Sequence, residues 1–171
     1  MVDDLNHLPG GIELRACATA DRPFLLELYA SARADELRPV PWADEEKAAF
    51  VKMQFDAQDT AYRLAYPTGE FLLIVDHSTP IGRLYLGRLP GELRIIDLTL
   101  SPGRRGRGIG TALVERVLAR ADRERLVVTL HVEPWNPARR LYERLGFESI
   151  ELRGVYEFMR RHPPAQLKTA S

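Results

Sequence analysis

The chain has 171 residues, 45% of them hydrophobic and 28% charged, which suits one globular domain and excludes a disordered or collagen-like chain. Its 24 basic residues balance 24 acidic ones, so no whole-molecule basic field is available to hold nucleic acid, although a local basic cluster stays compatible with this balance. One cysteine cannot form an internal disulfide, and no apolar run approaches the roughly 20 residues that span a membrane. The expectation is a cytoplasmic protein with no nucleic-acid or membrane partner.

Residues 1–11 carry Asp3 and Asp4, lack the apolar stretch of a secretory signal, and read as a loose leader. Ile12, Leu14 and Ala16 alternate with Glu13, Arg15 and Cys17, the period of a first strand. Thr19 or Asp21 can cap a helix running to about Ala34, with Pro23 tolerated in its first turn. Pro39 and Pro41 break the chain; Asp44 offers a cap for a second helix to about Ala65, which Pro67 and Gly69 end. Phe71 to Val75 is an apolar strand. His77-Ser78-Thr79-Pro80 turns it into Ile81 to Arg88, and Pro90-Gly91 turns again into Glu92 to Ser101. A glycine- and arginine-rich loop leads into an amphipathic helix, about Gly108 to Arg123, with Ile109, Leu113, Val117 and Leu118 on one face. Leu126 to Val132 is a further strand. Pro134 and Pro137 bracket the start of a helix that Gly146 closes near Leu145. Ser149 to Arg153 and Val155 to Arg160 form a last pair of strands about Gly154, and the tail after His162 is expected to fray.

This order predicts one domain over 12–161, between the leader 1–11 and a tail 162–171. Hairpins mixed with helical crossovers predict an α/β fold, a central mixed sheet with helices on both faces. A ligand is then expected where strands feed helices, after Ser101 and after Val132.

The loop Ser101-Pro102-Gly103-Arg104-Arg105-Gly106-Arg107-Gly108-Ile109-Gly110-Thr111 carries the strongest chemical signal. Gly106, Gly108 and Gly110 lack Cβ, so their backbone can take positive φ and approach a ligand closely. The helix that follows presents free N–H groups and the positive end of its dipole, an anion site. Arg104, Arg105 and Arg107 add positive charge suited to a pyrophosphate. A solvated turn is the structural alternative. A dinucleotide-binding loop fits poorly, because the position three after Gly108 is Thr111. A P-loop lacks its Gly-Lys-Ser/Thr.

Arg105-x-x-Gly108-x-Gly110 resembles the Arg/Gln-x-x-Gly-x-Gly/Ala signature of the GNAT superfamily of N-acetyltransferases. Leu130-x-Val132, then Asn136 and the run Leu141-Tyr142-Glu143-Arg144-Leu145-Gly146-Phe147, resembles that family's next strand and helix with its Tyr-Glu-x-x-Gly-Phe pattern. One helix and one strand separate the two motifs, as in the family, and the order of elements agrees over about Ile12 to Arg161.

The resemblance implies acetyl-CoA as donor; no metal is expected, because the histidines lack ligand spacing. It places the pantetheine arm on the backbone of Leu98, Thr99 and Leu100. It places the pyrophosphate on the amides of Arg105, Gly106, Arg107, Gly108, Ile109, Gly110 and Thr111, with Asn136 holding the arm. It also implies that the strands Glu92 to Ser101 and Leu126 to Val132 splay apart at the thioester, and that Tyr142 is the general acid for the departing thiolate. The alternative for Tyr142 is a packing residue on a short helix.

The base is less defined. Asp97 lies mid-strand in Leu93-Arg94-Ile95-Ile96-Asp97-Leu98-Thr99-Leu100, where a carboxylate needs a partner or a raised pKa. It is the catalytic candidate, against a structural hydrogen-bonding role. The glutamate that many members carry earlier on this strand falls on Arg94 here, which cannot serve as a base. Glu133 is a weaker candidate. Cys17 reads as core, and His7, His77, His131 and His162 have no metal-ligand spacing, His131 reading as a packed histidine.

For the acceptor, Trp42 stands between Asp35-Glu36 and Asp44-Glu45-Glu46. An aromatic face near carboxylates suits a cationic amine. Trp42, Glu36 and Phe55 are therefore the substrate-binding candidates, with Tyr62 further along the same helix. The expected function is acetyl transfer to a primary amine, of a small molecule or a peptide, by direct attack in a ternary complex. A homodimer is compatible with this. The alternatives are a non-catalytic CoA-binding or sensing domain and use of a longer acyl-CoA.

Overall fold

The computed structural model describes Leu5 and residues 8–165. Strand β1 (Ile12–Ala16) is followed by helices α1 (Arg22–Leu37) and α2 (Asp44–Ala65). A meander of β2 (Glu70–Asp76), β3 (Thr79–Leu89) and β4 (Glu92–Leu100) comes next. Helix α3 (Ile109–Glu124), β5 (Val127–Val132), α4 (Ala138–Arg144), β6 (Glu148–Arg153) and β7 (Tyr156–Arg161) complete the order. Among the described residues, the strands form one seven-stranded mixed sheet in the order β1-β2-β3-β4-β5-β7-β6. The elements follow the sequence expectation, with α1 running on to Leu37 rather than stopping near Ala34. The spatial order adds one thing: the last hairpin is inserted so that β7, not β6, pairs antiparallel with β5.

Alternation along the strands builds two cores. Leu72, Ile74, Leu84, Leu86, Leu93 and Ile95 pack with Leu113, Val114 and Val117 of α3 and with Tyr142 of α4. On the other face Leu73 and Val75 pack with Leu25 and Tyr29 of α1 and with Val51 and Phe55 of α2. Helices thus cover both faces, but the second core includes no residue of β5, β6 or β7. Leu5, expected in a loose leader, is 0% exposed and belongs to the larger core. Burying a leucine contributes about 1.5–3 kcal/mol, enough to anchor the chain at that point. Residues 162–165 have no regular secondary structure, and the rest of the expected frayed tail lies outside the described residues. Among the described residues no helix is long and apolar enough to cross a membrane.

A bulge in β4 sets the direction of its side chains. Leu86 pairs with Ile95 but Tyr85 pairs with Asp97, so Ile96 is the extra residue. Without it, Ile95 and Asp97 would share a face. With it, Ile95, Leu98 and Leu100 lie on the α3 side and Asp97 faces the α2 side, where it meets Arg83, which also bonds Gln58 of α2.

Asp21 precedes α1 but does not cap it through its side chain. Its carboxylate turns back to the Ala18 N–H at 2.7 Å and takes two Arg15 guanidinium bonds, at 2.7 and 2.6 Å. The Arg15 bond, against the opposing effect of burial and helped by the Ala18 amide, holds Asp21 at about 2, below the usual carboxylate range. A depressed carboxylate stabilises the fold above its unfolded pKa, and that contribution fades as pH falls through the folded value. Because Arg15 is half exposed, Asp21→Asn should cost on the order of 1–2 kcal/mol at pH 7, and the difference should shrink between about pH 4 and pH 2. Urea unfolding at several pH values checks this; a difference that does not change with pH would rule out the ionic link.

Candidate active site

The parallel ladder between β4 and β5 runs only from Glu92↔Val127 to Ile95↔Leu130. Beyond it, β4 continues to Leu100 bonded to β3, and β5 continues to Val132 bonded to β7. The two strands part where the resemblance places a thioester. The edge of β4 from Ile96 to Leu100 that faces β5 therefore has no strand partner. Backbone N–H and C=O groups left this way need another partner; with Ser101 bonded to Ile81 on β3, the alternation turns the groups of Thr99 toward β3 and those of Leu98 and Leu100 toward the gap.

The loop after β4 begins beside that edge. Ser101 donates its N–H to Ile81 O at 2.9 Å, a 3-10 turn covers Pro102–Arg104, and the Arg105 Nε donates to Leu100 O at 2.9 Å. Gly106 and Gly108 have φ of 70° and 78°, the left-handed region that favours glycine, and nothing lies within 4 Å of where a Cβ would sit on either. The glycines are thus needed for their backbone conformation, and the space over them is open. Gly108 is the N-cap of α3, and the first intrahelical bond runs from the Ala112 N–H to Gly108 O at 3.0 Å. The amides of Ile109, Gly110 and Thr111 precede it and have no intrahelical acceptor. An anion seated there meets free donors and the positive end of a 16-residue helix. Of the three arginines, Arg104 is turned away onto Asp76, while Arg107 has no protein partner among the described residues.

After β5, the Asn136 Oδ1 accepts the Ala138 N–H at 2.9 Å and so fixes the start of α4. Its amide nitrogen is left without a protein partner among the described residues. One turn on, Tyr142 packs edge-on against Phe147, with ring centroids 5.6 Å apart. Its hydroxyl makes no hydrogen bond among the described residues. Burial, with the nearby Asp97 charge, pushes the phenol up to about 12. The α4 side of the gap thus holds a phenol that keeps its proton, near a carboxylate on β4.

That carboxylate is occupied. Arg83 Nε and Nη2 bond the two Asp97 oxygens at 3.2 and 2.7 Å, and the Thr99 hydroxyl donates to Asp97 at 2.7 Å. Arg83 is 3% exposed and also donates to Gln58 Oε1 at 2.9 Å. Burial pulls the Arg83 guanidinium down, but the Asp97 charge and hydrogen bonds outweigh it and leave Arg83 above the usual arginine value. Tyr62 stands beside this pair, its phenol raised by burial and then by the Asp97 charge. The partner that a mid-strand carboxylate requires is Arg83.

The acceptor candidates are not gathered at the gap. Phe55 is 2% exposed in the core under α1 and α2, its ring 5.8 Å from Tyr29, so it has no free face to offer a substrate. Glu36 pairs with Arg33, Asp35 pairs with Arg38, and Glu46 accepts the Ala43 N–H at the start of α2. Trp42 is 43% exposed and packs on Phe50, eight residues before Gln58, or about 12 Å along the helix. A separate groove of about 620 Å³ between α1 and α2, lined by Leu26, Ala30, Ala34, Leu37 and Val51, contains none of the expected site residues. His131, expected to be packed, is exposed. Sequence reasoning missed Arg83. A lone buried arginine on the strand hairpinned to Asp97 was the available signal.

Residues 27–147 match the Acetyltransferase (GNAT) family. The chain belongs to the GNAT acetyltransferase family. Its fold is similar to that of the PaiA N-acetyltransferase of Thermoplasma acidophilum, solved in complex with coenzyme A, with a TM-score of 0.69 and 18% identity over 88% of this chain and 98% of that one. It is also similar to an acetyltransferase from Thermus thermophilus, with a TM-score of 0.63, 20% identity, and 88% and 96% of the two chains covered. A third similar structure is Ard1 from Thermoplasma volcanium, with a TM-score of 0.61, 17% identity, and 91% and 99% covered. These likenesses share the GNAT fold, the mixed sheet with helices on both faces.

Removing Asp97 leaves Arg83 charged and buried without its counter-ion. Asp97→Ala should lower stability by about 3–5 kcal/mol, and Arg83→Met with Asp97→Leu by distinctly less. Denaturant unfolding checks both. A single-variant loss below about 1 kcal/mol would show that the pair does not hold the strands.

Proposed function

We propose that this GNAT chain moves an acetyl group from acetyl-CoA to a primary amine by direct attack in a ternary complex. The observation that carries the reading is one coincidence: the parting of β4 from β5, the open Gly106–Gly108 turn at the start of α3, and Tyr142 all border the same gap. Acetyl-CoA supplies an activated acyl thioester whose thiolate leaves. The chain's own residues do the rest. The amides from Arg105 to Thr111 hold the pyrophosphate, with Arg107 beside them. The free edge of Leu98 and Leu100 pairs with the arm, and a backbone N–H there polarises the acyl carbonyl. The Asn136 amide nitrogen donates to the arm. Tyr142 holds its proton at neutral pH and gives it to the departing sulfur. Asp97 shares its carboxylate with Arg83 and Thr99, so its role is to set charge and geometry beside the gap. The amine then arrives neutral or loses its proton to water.

Gly108→Asp puts a side chain and a negative charge over the cradle. Calorimetry should show CoA affinity reduced at least about tenfold, and unchanged affinity would remove the loop from the donor site. Tyr142→Phe should lower kcat by about 10- to 1000-fold while CoA affinity stays within a factor of a few. With the wild type, thiol release should rise with pH as the amine becomes neutral, with no fall from Tyr142 until pH approaches its raised value of about 12. A protein that binds CoA but releases no thiol with any amine would be a binding domain instead.

A further inference from the structure

On the sheet face opposite α3, past the cover of α1 and α2, four cationic or basic groups surround one ring. Phe158 is 4% exposed, yet it belongs to neither helical core. Its ring is covered by the Arg153 guanidinium at 3.9 Å from the centroid, with Arg94 at 5.7 Å, Arg160 at 6.0 Å and the His131 ring at 5.0 Å. Two carboxylates answer them. Glu92 holds Arg94 at 2.6 Å, and Glu151 holds Arg153 at 2.6 Å. Arg160 makes no ion pair among the described residues, although Glu148 of β6 lies directly across from it. The Arg153–Glu151 pair is about half exposed, at 48% and 51%, the kind of surface pair an incoming anion can displace. His131 keeps one side open to solvent; partial desolvation of its ring against the sheet, then the charges of Arg94 and Arg153, hold the imidazole below its usual value, with Glu92 opposing.

The position matters as much as the charge. His131 follows Leu130, the last β5 residue paired with β4, and Phe158 is its partner on β7. The cluster therefore begins at the mouth of the gap. Arg94 is engaged by Thr129, Tyr66 and Glu92 and contributes charge only. We propose that Arg153 and Arg160 around Phe158, with the Arg94 charge beside them, bind a carboxylate of the acceptor, so that the acceptor is an amine that also carries a carboxylate. This rests on the transferase reading above. Arg94 and Arg160 lie level across Thr129 of β5, and the gap opens two residues further along β4, at Ile96, or about 7 Å at about 3.4 Å per residue, which sets the carboxylate on the order of 5–10 Å from the gap. That is the reach of an acidic amino acid, or of an acidic residue second in a peptide at about 3.5 Å per residue. Arginine forks match a carboxylate with two parallel bonds, and a ring behind them holds them flat. A polyamine brings further positive charge to the same surface and is disfavoured by like-charge repulsion.

The test uses matched acceptors in a thiol-release assay, each with its α- or C-terminal carboxylate blocked as an amide so that the side chain alone differs: glutamate α-amide against glutamine α-amide, C-terminally amidated Ala-Glu against Ala-Gln, and spermidine. The carboxylate member of a pair should have a kcat/KM about tenfold or more above its amide, carried in KM, and Arg160→Ala should collapse that ratio toward one. The amino acid α-amides and the peptides separate the two sources of the carboxylate. A second readout needs no turnover: NMR titration with the α-amides of N-acetylglutamate and N-acetylglutamine, where only the first carries a carboxylate and should shift residues 153, 158 and 160, and more weakly in Arg160→Ala. Equal or better use of the amide or of spermidine, an unchanged ratio in Arg160→Ala, or equal titration by both ligands overturns the proposal. If no amine is turned over, the transferase reading fails and the titration still decides this site.

Discussion

Strands β4 and β5 share a parallel ladder from Glu92 to Ile95 and separate beyond it, and the rest of the site is arranged around that separation. The strands are held apart from both sides. β4 stays bonded to β3 through Leu100, and β5 stays bonded to β7 through Val132. Each keeps its pairs on its other edge while the edges that face the gap stay open. The freed β4 edge, the glycine loop that leaves it and the helix that carries Tyr142 are then all adjacent. A sheet interior with unpaired backbone is costly unless something else fills it, so the same feature that weakens the apo sheet favours a ligand with amide-like groups along its length.

The bulge at Ile96 and the Arg83–Asp97 pair work together on the opposite face. The bulge turns Asp97 out of the apolar core, and Arg83 of β3, which also bonds Gln58 of α2, meets it. The pair ties the meander to α2 across the sheet. Its Coulombic gain is set against the desolvation of two charges, which makes breaking it more costly than never having built it. The Asp97 carboxylate is engaged by two guanidinium nitrogens and a threonine hydroxyl, and its charge reaches Tyr142 and Tyr62. One buried charge thereby helps keep two phenols protonated.

Much of this could be read from residues. Alternating and amphipathic runs gave the element order, and Gly106 and Gly108 marked the turn into α3 because only glycine holds φ near +70° to +80° without strain, whereas Gly110 has an ordinary negative φ inside the helix. Asp97 was visible as an anomaly among Ile95, Ile96 and Leu98. Its partner was not, because ion pairing across strands depends on register, and the bulge that sets this register involves isoleucine, which has no turn preference. The insertion of β7 beside β5 was hidden for the same reason: strand order is a long-range property that local periodicity does not encode. The acceptor side was the least legible. Acidic residues near Trp42 looked like a cation site by proximity in sequence, whereas each of Asp35, Glu36 and Glu46 meets a group three residues away.

The hairpin that ends the fold carries a further consequence. All six residues of β6 are exposed, and β6 is an outer strand of the sheet, with Ile150 and Leu152 showing apolar side chains. A long flat strand of that kind is a template for adding strands from other molecules. Here the register with β7 shifts between Ser149 and Glu151, and Glu148, Glu151 and Arg153 place a charge along the strand at short intervals. The kink spoils the straight row of donors and acceptors, and each charge would have to be desolvated by an incoming strand. The outer edge of the sheet is thus guarded against runaway aggregation by the same bulge-and-charge means that, on β4, aim a carboxylate.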